Sequence, residues 1–371
     1  MRQMYCDSEG SVRITEAADP VVEAPTDVLV RVRATTICGS DVHLVHGHLP
    51  TPWGFALGHE YVGEVVAIGP GGKGANQAVA AARAGGARTT FVAALGHDDA
   101  AELLLGSLRS AGVDTTTVVR ADAATGTALI VVGPDGENAI VVAPGANGRL
   151  VLGPEAAARL AEADVVLAQL EVPLGTVVDA ARARRVGSLM VLNAAPSRAL
   201  PDDLWAELDV LVVNEHEARD LAGPEAHDLA GPEARDLAGP GALPPDDPDA
   251  SAVPGPDGGR REAALAGRLL TRVPAVVVTL GARGCLVAER DRPVVHVAAP
   301  HVEPVDTTGA GDTFCGVLAA HLARGTSLAD AARAAVVAGA LAVTRRGAQD
   351  AVPDAADVDR ALSGDPAQEA R

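Results

Sequence analysis

V-D-T-T-G-A-G-D-T-F, residues 305–314, runs directly into an apolar stretch at 315–323, and the reading of that junction decides the fold. Gly309, Ala310 and Gly311 separate a polar turn from a predicted helix, so the backbone there can approach a ligand with no large side chain in the way. The first N–H groups of a helix lack internal acceptors and sit at the positive end of its dipole, which makes the turn an anion hole for a phosphate or a transferring phosphoryl group. Asp312 stands beside it. A carboxylate there would repel a resting phosphate, and its presence makes sense if it touches an acceptor hydroxyl and takes the proton as the O–P bond forms. The alternative, from these residues alone, is a capped helix start in which Asp312 offsets the dipole.

The 371-residue chain can form one large or two moderate domains, and its 48% apolar content supports a full core. A net charge of −19 with only 2% aromatic residues argues against a nucleic-acid surface, which needs basic patches and stacking rings. Lys73 is the only lysine. Cys6, Cys38, Cys285 and Cys315 form no C-x-x-C pair, so neither a disulfide framework nor a zinc knuckle is expected. No signal peptide is evident, and no apolar run reaches the ~18 residues of a membrane span. The expectation is a reduced, cytoplasmic protein with no membrane partner.

Further motifs line up along an alternating β/α pattern. G-G-K-G-A-N-Q-A-V-A-A-A-R at 71–83 is a glycine turn leading into an alanine-rich helix. With the preceding residues it fits G-x-G-x-x-G, but the predicted strand at 89–94 ends without the acid that ribose recognition in a dinucleotide fold needs, and Lys73 is followed by Gly74, so it is no Walker loop. A hairpin is predicted from strands at 127–133 and 139–143, around Pro134-Asp135-Gly136. Glu171 follows a strand at 165–170, where open α/β sheets put their ligands. Asn214 and Glu217 open a helix after a strand at 210–213, and could cap it or organise a metal and phosphates. A-R-D-L-A-G-P-E at 218–225 recurs as A-H-D-L-A-G-P-E at 226–233 and, without its last residue, at 234–240, and about 218–260 reads as a flexible insertion.

With T-L-G-A-R-G at 279–284 and A-L-A-V-T-R-R-G-A-Q-D-A-V-P at 340–353, these motifs resemble the PfkB carbohydrate kinases over about residues 71–352. The resemblance implies a ribokinase-like three-layer α/β/α sandwich with a small β lid, and ATP-dependent phosphorylation of a sugar hydroxyl, D-ribose to ribose 5-phosphate being the first choice. It makes Asp312 the base and Gly309, Ala310 and Gly311 the anion hole. It gives the sugar to Gly71, Gly72, Lys73, Gly74, Ala75, Asn76, Glu171 and Asp312, and ATP to Asn214, Thr279, Leu280, Gly281, Ala282, Arg283, Gly284, Gly311 and Asp312. Glu217 would serve Mg2+ indirectly, while Asp306, Thr308, Ala342, Arg345 and Gly347 would offer oxygens to K+. Relatives pair through the lid, so a homodimer is left open.

Residues 1–69 are expected to stand apart from a kinase domain at 70–371. C-G-S-D-V-H at 38–43 and G-H-E-Y-V-G-E-V-V-A-I-G at 58–69 resemble the start of zinc-dependent medium-chain alcohol dehydrogenases. That likeness would put zinc at Cys38, His59 and Glu60, with Ser40 and His43 near a proton relay, but it stops at Gly69, short of that family's further zinc ligand, so the favoured reading is a residual β-rich fragment left by a gene fusion. Such a β-rich fragment would replace the first strand of the kinase sheet, which in that family carries sugar contacts. Two other readings follow: a nucleotide-binding remnant without a sugar site, and a zinc- and nicotinamide-dependent reductase.

Overall fold

The structure, a computed structural model, describes residues 2–8, 11–16, 29–36, 55–56, 60–67, 70–132, 138–223 and 259–363. The chain divides into two compact units, Met1–Gly69 and Pro70–Arg371. In the first, β1 (Arg2–Ser8) pairs antiparallel with β2 (Ser11–Glu16) and with β4 (Phe55–Ala56), while β3 (Leu29–Thr36) pairs antiparallel with β5 (Glu60–Ala67). Cys38, Ser40, His43 and His59 lie outside the described residues, and Glu60 opens β5.

The second unit is built on a six-stranded sheet. Its strands β10 (Val165–Ala168), β11 (Leu189–Asn193), β12 (Val210–Asn214) and β13 (Ala275–Thr279) run parallel, and β14 (Cys285–Glu289) and β15 (Val295–Val297) complete it antiparallel, in chain order across the sheet. These are short Val/Leu-rich runs, as expected of strands covered on both faces. Their residues alternate between two cores. Val191, Val212, Val277 and Val287 face one, with helices α1 (Lys73–Arg83), α2 (Asp99–Ser110), α8 (Ala310–Ala323), α9 (Leu328–Ala342) and α10 (Ala355–Leu362). Met190, Leu192, Leu211 and Val276 face the other, with α3 (Pro154–Leu160), α4 (Leu174–Ala183), α5 (Asp202–Trp205), α6 (Glu215–Ala222) and α7 (Arg260–Leu269). The three-layer α/β/α expectation therefore holds.

Smaller pairings sit beside this sandwich. β8 (Thr127–Val132) and β9 (Asn138–Ala143) form the expected hairpin. The strand expected at 89–94 shrinks to β6 (Ala94–Leu95), paired parallel with β7 (Val119–Arg120), and one bridge from Thr90 to Asp114. The ladder breaks because its partner segment turns between these contacts, where the Val118 N–H bonds the Thr115 carbonyl at 3.2 Å. Residues 218–222 of the expected insertion are the end of α6, and Arg260 already belongs to α7; residues 224–258 lie outside the described residues. Among the described residues, no helix is long and apolar enough to cross a membrane.

One helix crossing positions the site. A Cβ on Gly316 of α8 would lie 2.4 Å from the Gln77 carbonyl oxygen and 2.7 Å from the Ala80 Cβ of α1. Only a glycine lets these helices approach so closely, and the crossing sets the first turn of α8 against the first turn of α1. Cys285 and Cys315 are buried free thiols. Burial pushes both up, Cys285 to about 12, so they act as packing groups and not as nucleophiles.

Candidate active site

Asp312 lies in the first turn of α8, buried, with each carboxylate oxygen held by an amide from α1. Asn76 Nδ2 donates to Oδ2 at 2.9 Å and Gln77 Nε2 donates to Oδ1 at 3.0 Å. Each amide is oriented in turn: Gln169 Nε2 donates to Gln77 Oε1 at 2.7 Å, and Gln349 Nε2 donates to Asn76 Oδ1 at 3.1 Å. Burial pushes the Asp312 carboxyl above the usual carboxylate range, against the pull of the Lys73 charge and the two amides. A carboxylate with raised basicity and fixed direction can accept a proton from a neighbouring hydroxyl.

The turn before it is open. Gly309 caps α8 at φ +75, where a Cβ would press to 3.0 Å from the Ala348 Cα, and a Cβ on Gly311 would meet nothing within 4 Å. The Ala310 N–H bends back to the Thr307 carbonyl at 3.3 Å, so of the three expected hole amides those of Gly309 and Gly311 are the freer. Opposite, Gly71 and Gly72 are exposed, and Gly72 caps α1 at φ +92. The Lys73 N–H donates to Glu171 Oε2 at 3.1 Å. Burial raises Glu171, the Lys73 charge opposes that, and Asp312 adds to it. Gly74 has a tight neighbour in Gln169, whose Oε1 would lie 3.1 Å from any Cβ placed there, and Ala75 and Asn76 are buried.

Asn214 and Glu217 lie at the ends of neighbouring elements. The Asn214 Oδ1 accepts from the His216 and Glu217 N–H groups at 2.9 and 2.8 Å, and Glu217 Oε2 accepts from the Asn214 N–H at 2.8 Å. This is a capping box, one of the two readings open from the sequence. Burial raises Glu217, partly offset by the Asn214 N–H and Lys73. Asn214→Ala is expected to cost about 1 kcal/mol of stability in urea unfolding. Thr279 is the register partner of Asn214 on β13. The loop beyond it, Gly281–Arg283 with Leu280 buried and Gly284 at φ +89, is tied to α6 by an Arg283–Glu215 ion pair of 2.6 Å. Ala282 lies in that turn, and the space around Gly281 is open.

The last expected group gathers around Asp306. Its Oδ1 accepts from the Thr308 N–H and its Oδ2 from the Gly347 N–H, both at 2.9 Å. Burial opposes its ionisation, but the Gly347 and Thr308 hydrogen bonds and the Arg346 charge outweigh that and hold it below the usual range. The Ala342 carbonyl accepts from the Arg345 N–H at 3.1 Å, so these carbonyls crowd the same turn.

A family model for the pfkB family carbohydrate kinases matches residues 59–355. The chain belongs to the PfkB family of carbohydrate kinases. A ribokinase of Staphylococcus aureus is 34% identical over 76% of this chain and 84% of its own. A ribokinase of Schizosaccharomyces pombe is 33% identical over 90% of this chain and 94% of its own, a span that necessarily reaches back into residues 1–69. Among solved structures, an Arabidopsis thaliana ribokinase complexed with ribose and ATP superposes with a TM-score of 0.66 at 27% identity, covering 85% of this chain and 92% of that one.

Of the expected residues, the structure brings together Lys73, Asn76, Glu171 and Asp312, and sets Asn214, Glu217 and Thr279 beside one another where β12, α6 and β13 meet. Sequence reasoning missed Gln77, Gln169, Asn193 and Gln349, all partners in the Asp312 network. The available signal was two amide side chains, Asn76 and Gln77, on an otherwise alanine-rich helix.

Proposed function

We propose that this chain is an ATP-dependent ribokinase, which passes the γ-phosphoryl group of ATP to the primary hydroxyl of D-ribose. The observation that carries the reading is the buried Asp312 carboxylate, gripped on both oxygens, beside an open helix N-terminus. Asp312 takes the hydroxyl proton as the O–P bond forms, and the Gly309 and Gly311 amides stabilise charge on the phosphoryl oxygens. Asn76, the 71–75 turn and Glu171 hold the sugar. The nucleotide lies along 279–284, with Asn214 at its phosphates. The ribokinase relatives described above, which match most of their own length, support this reading.

Two cations fit the residues. Lys73 faces the Asp312, Glu171 and Glu217 carboxylates, an excess of negative charge that a bare triphosphate would increase. Mg2+ arriving with ATP would offset it, and Glu217, with only Oε2 engaged, would reach it through water. Asp306, kept anionic, and the oxygens of Thr308, Ala342, Arg345 and Gly347 make an all-oxygen donor set suited to K+, which would supply positive charge near the anion hole. The protein would work in the cytoplasm, with pairing through the hairpin lid as its route to a homodimer. Residues 1–69 carry the dehydrogenase-like motifs quoted above. Alignments to ribokinases that reach into them weigh against a wholly separate origin.

The test is ATP turnover by the full chain with and without D-ribose, in potassium and in sodium. Ribose-dependent turnover, faster in potassium, is expected. A folded, ATP-binding protein with no ribose-dependent turnover would overturn the proposal and leave a nucleotide-binding protein without a sugar site.

A further inference from the structure

Gln77 is almost fully buried at the centre of the polar cluster, with every polar atom engaged. Its Nε2 donates to Asp312 Oδ1 and to Asn193 Oδ1, both at 3.0 Å, and its Oε1 accepts from Gln169 Nε2 at 2.7 Å. Asn193 is fixed as well, because its Nδ2 points at the Val212 carbonyl of β12 at 3.4 Å. The Gln77 amide therefore has one workable orientation. Turned over, its carbonyl oxygen would face two acceptor oxygens and its NH2 would face a donor.

We propose that Gln77 is the positioning residue of Asp312: locked by Gln169 and by Asn193 on the central sheet, it fixes the carboxylate's direction and favours its anionic form. The inference rests on the reading of Asp312 as the base. A protonated carboxyl would accept from only one of the two N–H donors and set its own O–H against the other, whereas the anion accepts both. The other charged or titratable groups facing Asp312 are Lys73 from α1, Glu171 beyond β10 and Cys315 on α8, with Glu217 close to Lys73. None is hydrogen-bonded to Gln77, so their influence is common to wild type and variant.

The test is Gln77→Met, read by the 13C titration of the Asp312 carboxyl, assigned by its loss in Asp312→Asn, and by the pH profile of kcat. Both the titration and the acid limb should move to higher pH, with kcat falling on the order of tenfold and KM for ATP unchanged. A folded Gln77→Met whose Asp312 titrates as in wild type would overturn the proposal. Should that variant not fold, Gln169→Met, which loosens Gln77 without touching Asp312, decides in its place: a smaller shift in the same direction supports the proposal, and an unmoved titration overturns it. Full turnover by Asp312→Asn would remove the base reading alone, since the carboxyl titration still reports on Gln77.

Discussion

Asp312→Asn is expected to lower kcat about a thousandfold while ATP binds as well as before or slightly better. The replacement keeps the shape but cannot take a proton. One side of the new amide is also an NH2 that meets an N–H from Asn76 or Gln77, so a buried donor pair is left facing itself. ATP affinity should not suffer, because the lost charge is one that repels phosphate. Steady-state kinetics beside calorimetric ATP titration separate the two, and near-normal kcat would take Asp312 out of the base role. The same variant should change the pH dependence of stability. Because burial raises the native carboxyl, the folded chain keeps a proton above the ordinary carboxylate range where the unfolded chain has released it. Stability from this group is therefore present at low pH and lost as pH rises through the native value, and urea unfolding of Asp312→Asn should lack that decline.

Gly316→Ala should destabilise the protein by about 2 kcal/mol, although alanine is the better helix former by about 1 kcal/mol. Propensity alone predicts a gain, so a loss isolates packing. The new methyl would sit 2.4 Å from a backbone oxygen of α1, which cannot move aside as a flexible side chain would. Helix α1 must retreat, and it carries Asn76 and Gln77 away from Asp312, so turnover should fall together with stability. Gly106→Ala is the matched control. Gly106 is inside α2 with open space around it, and its replacement should stabilise. Urea midpoints of the two variants moving in opposite directions is the expected result; a stabilised Gly316→Ala would mean that the crossing is not tight.

The parts of this site that are legible in the sequence are those with local causes. A glycine turn ahead of a helix needs only its own residues to be recognised, so 71–83 and 309–312 can be read directly, and β12 falls within one residue of the expected 210–213 because V-L-V-V is a short, mostly β-branched run. Asn214 and Glu217 are ambiguous for a physical reason: the spacing that caps a helix is the spacing that offers two oxygens at its start, and the capping is what the structure displays. The amide network is invisible in the chain because its pairs join residues 235, 92 and 273 positions apart, and no periodicity encodes such contacts. The strand at 89–94 is overread since its apolar pattern says nothing about the turn in its partner that cuts the pairing short. The dehydrogenase-like reading of residues 1–69 leans on motifs whose chemistry-bearing side chains, Cys38 and His59 foremost, fall outside the described residues.

Lys73, half-buried at the head of α1 with its backbone on Glu171, is also the sole ε-amine of the chain. An amine-acylating reagent therefore has one side-chain target besides the terminal amine, and that target stands in the turn proposed to hold the substrate. The Lys73 peptide weighed after brief acylation and digestion would report what fraction of pockets was filled, turning a mass shift into a count of occupied sites with no need of turnover.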